Sequence, residues 1–202
     1  MPQNKFQDTD AYNIQTLLTS IDKIIVPHFQ RDYSWNTDKG DKGNQVLDLW
    51  QDITAKYHEY LQSNNTKDLE YLLGPMIFID GKNNVHEIVD GQQRLSTLTM
   101  ILCIARDILH EFCMDDPDNA AIKPNETHYL LIENLKSTIC DDDQKLSEIK
   151  LEHENWKLEM NKNDKEFFEK LVQQYVLDKD DPFVLEGSKD LFRRISKKIE
   201  HW

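Results

Sequence analysis

Val85-His86-Glu87-Ile88-Val89-Asp90-Gly91-Gln92-Gln93-Arg94-Leu95-Ser96-Thr97-Leu98 changes character at its midpoint. Residues 85–89 read as a strand, and Asp90-Gly91 ends it. Beyond, Leu95, Leu98, Leu102, Ala105, Leu109 and Phe112 recur at helical spacing, while Met100, Ile101, Ile104 and Ile108 fill other faces. A helix apolar on most sides belongs at the centre of a domain. The stretch therefore predicts a strand, a tight turn and a buried central helix in succession.

Upstream, Asp80-Gly81-Lys82-Asn83-Asn84 is a turn, and residues 71–79 form a continuous apolar run. That run predicts a buried strand, pairing with 85–89 as a hairpin. Residues 14–20 predict a short helix, and 21–26 a β-branched strand stopped by Pro27. Residues 36–44 read as a loop, and 45–61 as a helix carrying Val46, Leu49, Trp50, Ile53, Tyr57 and Tyr60 until polar 63–68 breaks it. After Asp115 the chain turns acidic through Asp141-Asp142-Asp143. A strand-like piece at 156–160 precedes a helix over 164–176 with Asp164 as N-cap. A last helix starts near Ser188, with Leu191, Phe192 and Ile195 on one side, and Trp202 falls inside its unfinished pattern. The expected organisation is an α+β fold with a small mixed sheet over 1–114, then a mostly helical continuation over 115–202 that stops short of a further domain.

Composition narrows the function. Lys and Arg number 24 against 37 Asp and Glu, a net charge of −13. Non-specific DNA affinity comes from cations displacing counterions, so the chain as a whole is a poor general DNA binder. Cys103, Cys113 and Cys140 make neither a C-x-x-C pair nor a zinc-finger spacing, which argues against disulfide frameworks and structural zinc. Met1-Pro2-Gln3-Asn4-Lys5 lacks an apolar signal region, and the apolar stretch 95–114 carries Arg106, Asp107, His110 and Glu111. The expectation is a cytoplasmic protein without a membrane partner.

Chemistry gathers at the strand–helix junction. The first turn of a helix offers unpaired N–H groups and partial positive charge, a natural anion site. Gly91 permits close approach of a ligand, and Arg94 brings a cationic fork suited to phosphate. Gln92 and Gln93 can orient a water or read a base; Asp90 can hold a metal, act as general base, or cap the helix. A plainer reading makes Asp90 a cap and the glutamines solvated surface, and spacing leaves both open.

A second constellation is Pro27-His28-Phe29-Gln30-Arg31-Asp32-Tyr33-Ser34-Trp35. Arg31 can make a second phosphate contact while an aromatic stacks on a base. Alternatively the aromatics pack into the core and Arg31 pairs with Asp32 or another acid.

Together with Leu73-Gly74-Pro75-Met76-Ile77, these two segments resemble the GmrSD restriction endonuclease N-terminal domain family, in the right order over about residues 10–112. The resemblance beyond residue 112 is loose, and Ser96 stands where the family more often has Thr. It implies a ParB/sulfiredoxin-like nucleotide-binding core that binds and hydrolyses a nucleoside triphosphate. A separate HNH-type nuclease domain or partner would cut modified phage DNA. On this basis Asp90, Gln93 and Arg94 are the catalytic candidates, Gln30, Arg31, Gly91, Gln92 and Arg94 the nucleotide-binding ones, and Asp90 the ligand for Mg²⁺. The seven histidines form no H-N-H arrangement, so DNA cleavage by this stretch is not expected. The alternative is a nucleotide-dependent switch that recruits a nuclease without hydrolysis. A sulfiredoxin-like redox role is disfavoured because no cysteine falls in either motif. Whether the chain forms a homo-oligomer is not legible.

Overall fold

A computed structural model of the chain describes residues 11–35, 44–63, 70–114, 126–139, 156–173 and 195–199. Its elements are α1 (Ile14–Ser20), β1 (Lys23–Ile25), α2 (Gln45–Gln62), β2 (Ile77–Asp80), β3 (Val85–Asp90), α3 (Gln92–Met114), α4 (Glu126–Ile139), β4 (Leu158–Glu159) and α5 (Lys165–Phe167), which widens into a π-helical turn over Phe168–Gln173. Residues 195–199 are helical. The architecture is α+β around a small mixed sheet, as the sequence predicts.

The strand order is β2-β3-β1-β4. β1 runs parallel to β3 and β4, while β2 is antiparallel to β3. The β2–β3 turn closes because Asn83 and Asn84 both take positive φ, 55° and 54°, a conformation that asparagine tolerates. Three parallel strands therefore end on one edge of the sheet. The segments that follow them, 26–35 after β1, Gly91 and α3 after β3, and 160–164 after β4, gather there.

The core sits between the sheet and α3. Ile24, Ile88, Leu95, Met100, Ile104, Leu158 and Phe168 are almost wholly buried in one cluster, which Ile139 and Ile195 join. α3 packs along α4 and against the π-helical turn. A single core thus draws side chains from both the first half of the chain and the residues after 126. The central position of α3 follows from its apolar load, since only burial satisfies a helix without a polar face.

Four local expectations need correction. Residues 71–79 are not one buried strand: only Ile77–Asp80 is extended into the sheet, as an edge strand with Ile77 and Ile79 exposed. Gly74 at φ +83° bends the backbone before it. β1 covers only three residues of the 21–26 run, although the Val26 N–H still donates to the Glu159 carbonyl at 2.8 Å. The outer half of α2 leaves the core, with Tyr57 and Tyr60 exposed. Asp164 makes no side-chain cap bond to α5, because its carboxylate is engaged elsewhere. Asn44 does cap α2, its Oδ1 accepting the Leu47 N–H at 2.8 Å. The expected loop over 36–43, most of the break after Ser63, the acidic stretch around 141–143, and helix positions 174–176 and 188–194 lie outside the described residues.

Candidate functional site

Gly91 makes the strand-to-helix turn at φ +92°, and a Cβ there would stand 2.8 Å from Met76 Cγ. Positive φ and close packing both require glycine at this position. Asp90, 61% exposed on its side chain, accepts the Gly91 N–H at 2.8 Å through Oδ1. An N-cap would instead accept from an N–H two or three residues into the helix. Asp90 therefore does not cap α3 by that bond, and its Oδ2 lies 4.0 Å from Arg94 Nη2.

The two glutamines face inward and are buried rather than solvated. Gln92 Nε2 donates to the Arg31 carbonyl at 2.7 Å. Gln93 Nε2 donates to the Asp32 carbonyl at 3.2 Å, and its Oε1 accepts the N–H groups of Ser34 at 2.8 Å and Trp35 at 3.3 Å. Gln30 returns the contact, its Nε2 donating to the Val89 carbonyl at 2.8 Å. Residues 30–35 are thus stapled to residues 89–93 by side-chain amides. Gln92 Oε1 is buried and accepts from no described group.

Arg94 turns toward a third segment. Nη1 donates to the Leu73 carbonyl at 2.6 Å and Nη2 to the Pro75 carbonyl at 2.8 Å. Gly74 lies between them, and a Cβ there would come within 2.5 Å of Arg94 Nη1. Two of the five guanidinium hydrogens are thereby engaged, and the group stays partly exposed beside Asp90.

Arg31 is exposed, and among the described residues none accepts from its guanidinium. Asp32, its neighbour, is held instead by the side-chain amides of Asn161 and Asn163. Of the aromatics, Tyr33 and Trp35 pack against the core, whereas Phe29 is exposed. Thr97 Oγ1 donates to the Gln93 carbonyl at 2.8 Å, so the Tyr33 hydroxyl 2.8 Å away is left to donate to Thr97. Burial pushes the Tyr33 phenol well above its usual value, with only partial offset from the Thr97 bond.

The structure therefore brings Gln30, the backbone of Arg31, Asp90, Gly91, Gln92, Gln93 and Arg94 together at the edge where the parallel strands end. That edge is where ligands bind in open sheets with parallel strands. Sequence reading missed Asn161, Asn163 and Asp164, which hold Asp32 and Tyr33 from the other side. Their only local signal was the small polar run Asn161-Lys162-Asn163-Asp164 after an apolar segment.

Among the described residues no group of three His, Cys, Asp or Glu side chains is placed to hold a metal. A lone exposed carboxylate still fits Mg²⁺, which is commonly held by one or two carboxylates, waters and substrate phosphates. No helix among the described residues is long and apolar enough to cross a membrane.

Fold and site together define an α+β domain with a Gly-turn, arginine-bearing junction at the carboxyl ends of its parallel strands. The family model described as GmrSD restriction endonuclease, N-terminal domain, matches residues 14–200, and the chain belongs to that family. No curated protein matches it.

Proposed function

We propose that the chain binds and hydrolyses a nucleoside triphosphate, and that this gates DNA cutting by a nuclease domain or partner in modification-dependent defence against phage. In this reading, residues 1–114 form a ParB/sulfiredoxin-like core in the cytoplasm, and 115–202 supply β4 and the turn after it. The observation that supports it is the stapling of residues 30–31 onto 89–92, which brings the backbone of Arg31 beside the Gly-turn that carries Asp90 and Arg94. Phosphoryl transfer asks chiefly for positioning and charge neutralisation. Arg31 offers an uncommitted fork, and Arg94 retains donors beyond its two carbonyl contacts. Asp90 supplies the carboxylate that would hold Mg²⁺ or take the proton of an attacking water. Bound there, Mg²⁺ would neutralise phosphate charge.

One observation favours a switch that binds without hydrolysis. The Gln93 amide is committed to the backbone of residues 32–35 and so is not free to orient an attacking water. Mg²⁺-dependent phosphate release by the purified chain separates the two. Release above a no-protein control supports hydrolysis; saturable binding with intact nucleotide supports the switch; neither one would sink both.

A further inference from the structure

Arg31 and Asp32 are adjacent, exposed and opposite in charge. They form no ion pair. Asp32 Oδ1 accepts from Asn161 Nδ2 at 3.3 Å and from Asn163 Nδ2 at 3.0 Å, and Oδ2 lies 3.2 Å from the same Asn163 nitrogen. Both partners are neutral amides, so the carboxylate is held without a rival cation.

The turn that does this is held together by its own hydrogen bonds. Asn161 Oδ1 accepts the backbone N–H of Asn163 at 3.0 Å and of Asp164 at 3.1 Å, and the Lys165 N–H donates to the Asn161 carbonyl at 2.9 Å. Buried Asp164 then accepts the Tyr33 N–H at 2.8 Å through Oδ2. On the other side of the loop, Gln92 takes the Arg31 carbonyl and Gln93 the Asp32 carbonyl. The backbone at 31–35 is gripped from two directions, and the Asp32 carboxylate from one.

We propose that the 161–164 turn is a positioning element for anion binding: by holding Asp32 it keeps the adjacent Arg31 guanidinium uncompensated and available to nucleotide phosphates. This rests on the nucleotide-binding reading given above. Arg31 is the residue that would touch phosphate, and Asn163 acts on it only through Asp32. Removing the Asn163 amide frees the carboxylate to turn back on its neighbour and compete with the ligand.

Asn163 is exposed, so its replacement spares the core. Calorimetric titration of the full chain with Mg²⁺ and a non-hydrolysable nucleoside triphosphate analogue should show Asn163→Ala binding about tenfold more weakly, the size of one weakened charge-assisted contact. Adding Asp32→Asn should restore affinity to within about twofold, since the competing charge is gone. Asn163→Ala should add nothing to the loss caused by Arg31→Ala. Equal affinity in Asn163→Ala, failed rescue, or additive losses with Arg31→Ala would each overturn the proposal.

A second readout needs no nucleotide. An arginine-directed dicarbonyl reagent, followed by mass spectrometry at Arg31, should modify Asn163→Ala more slowly than wild type, with recovery in the Asp32→Asn double variant. Arg31 reactivity indifferent to Asn163 would overturn the proposal even where nucleotide binds. If no nucleotide binds but the reactivity pattern holds, the functional reading fails while the shielding of Arg31 from Asp32 stands.

Discussion

Gln93 Oε1 accepts the Ser34 N–H at 2.8 Å while the same side chain's Nε2 donates to the Asp32 carbonyl at 3.2 Å. One buried amide thus satisfies both polarities of a backbone 59 residues away in sequence. Truncating it leaves N–H and C=O groups without partners, which costs roughly 1–3 kcal/mol. Gln93→Ala should therefore lower the free energy of unfolding by about 2 kcal/mol in denaturant titration. A Gln93 that only orients a reacting water would instead lose turnover at unchanged stability, and that outcome would favour its catalytic assignment.

Arg94 offers a related contrast. Its two bonds to the Leu73 and Pro75 carbonyls hold the 72–76 segment over the Gly-turn. Arg94→Lys keeps the charge but loses the planar fork, so it cannot span both carbonyls. Arg94→Ala should cost about 1.5–3 kcal/mol of stability as well as nucleotide affinity. Arg94→Lys should recover part of the affinity but little of the stability. Calorimetry and denaturant unfolding on both variants check this; full stability in Arg94→Ala would show that the carbonyl contacts carry no weight.

The junction was legible because its signals are local: a strand ending in Asp-Gly and an apolar helix directly after it. The roles of its side chains were not. Sequence left Gln92 and Gln93 open between a site role and solvated surface, because nothing nearby shows that residues 31–35 will lie against them. Asp164 read as a cap because it precedes a helix, yet its carboxylate answers the Tyr33 N–H across 131 residues. The run 71–79 looked like one strand because apolar periodicity does not register the positive φ of Gly74 or the pull of Arg94 on two carbonyls. Each miss is a long-range polar contact overriding a correct local pattern.

Tyr33 gives a pH prediction. Burial raises its phenol above the usual value of about 10 in the folded state. Below that pH both states are protonated and its contribution is fully present. As pH rises past it, the unfolded chain ionises first and folding stability declines toward the folded value. Tyr33→Phe removes this ionisation and the hydroxyl bond to Thr97. It should cost about 1 kcal/mol at neutral pH and flatten the alkaline fall in stability. Identical alkaline slopes in thermal melts of the two proteins would refute the assignment.

In the proposed hydrolysis, Asp90 is the residue on which turnover would depend. Its Oδ1 accepts the Gly91 N–H at 2.8 Å, a bond that an asparagine oxygen can also accept. Its Oδ2 lies 4.0 Å from Arg94 on an exposed side chain, a separation that contributes little to stability. Asp90→Asn should therefore melt within a few degrees of wild type. A general base or metal ligand, however, needs the negative charge that asparagine lacks. Turnover should fall by roughly 10²-fold or more. Affinity for metal-free nucleotide should hold or rise, because a carboxylate near phosphates repels them and the substitution leaves Arg31 and Arg94 in place. Phosphate-release rates and calorimetry on the same preparations read both quantities. Unchanged turnover would reduce Asp90 to a support for the Gly91 backbone, and absent turnover in wild type would favour the binding-only switch.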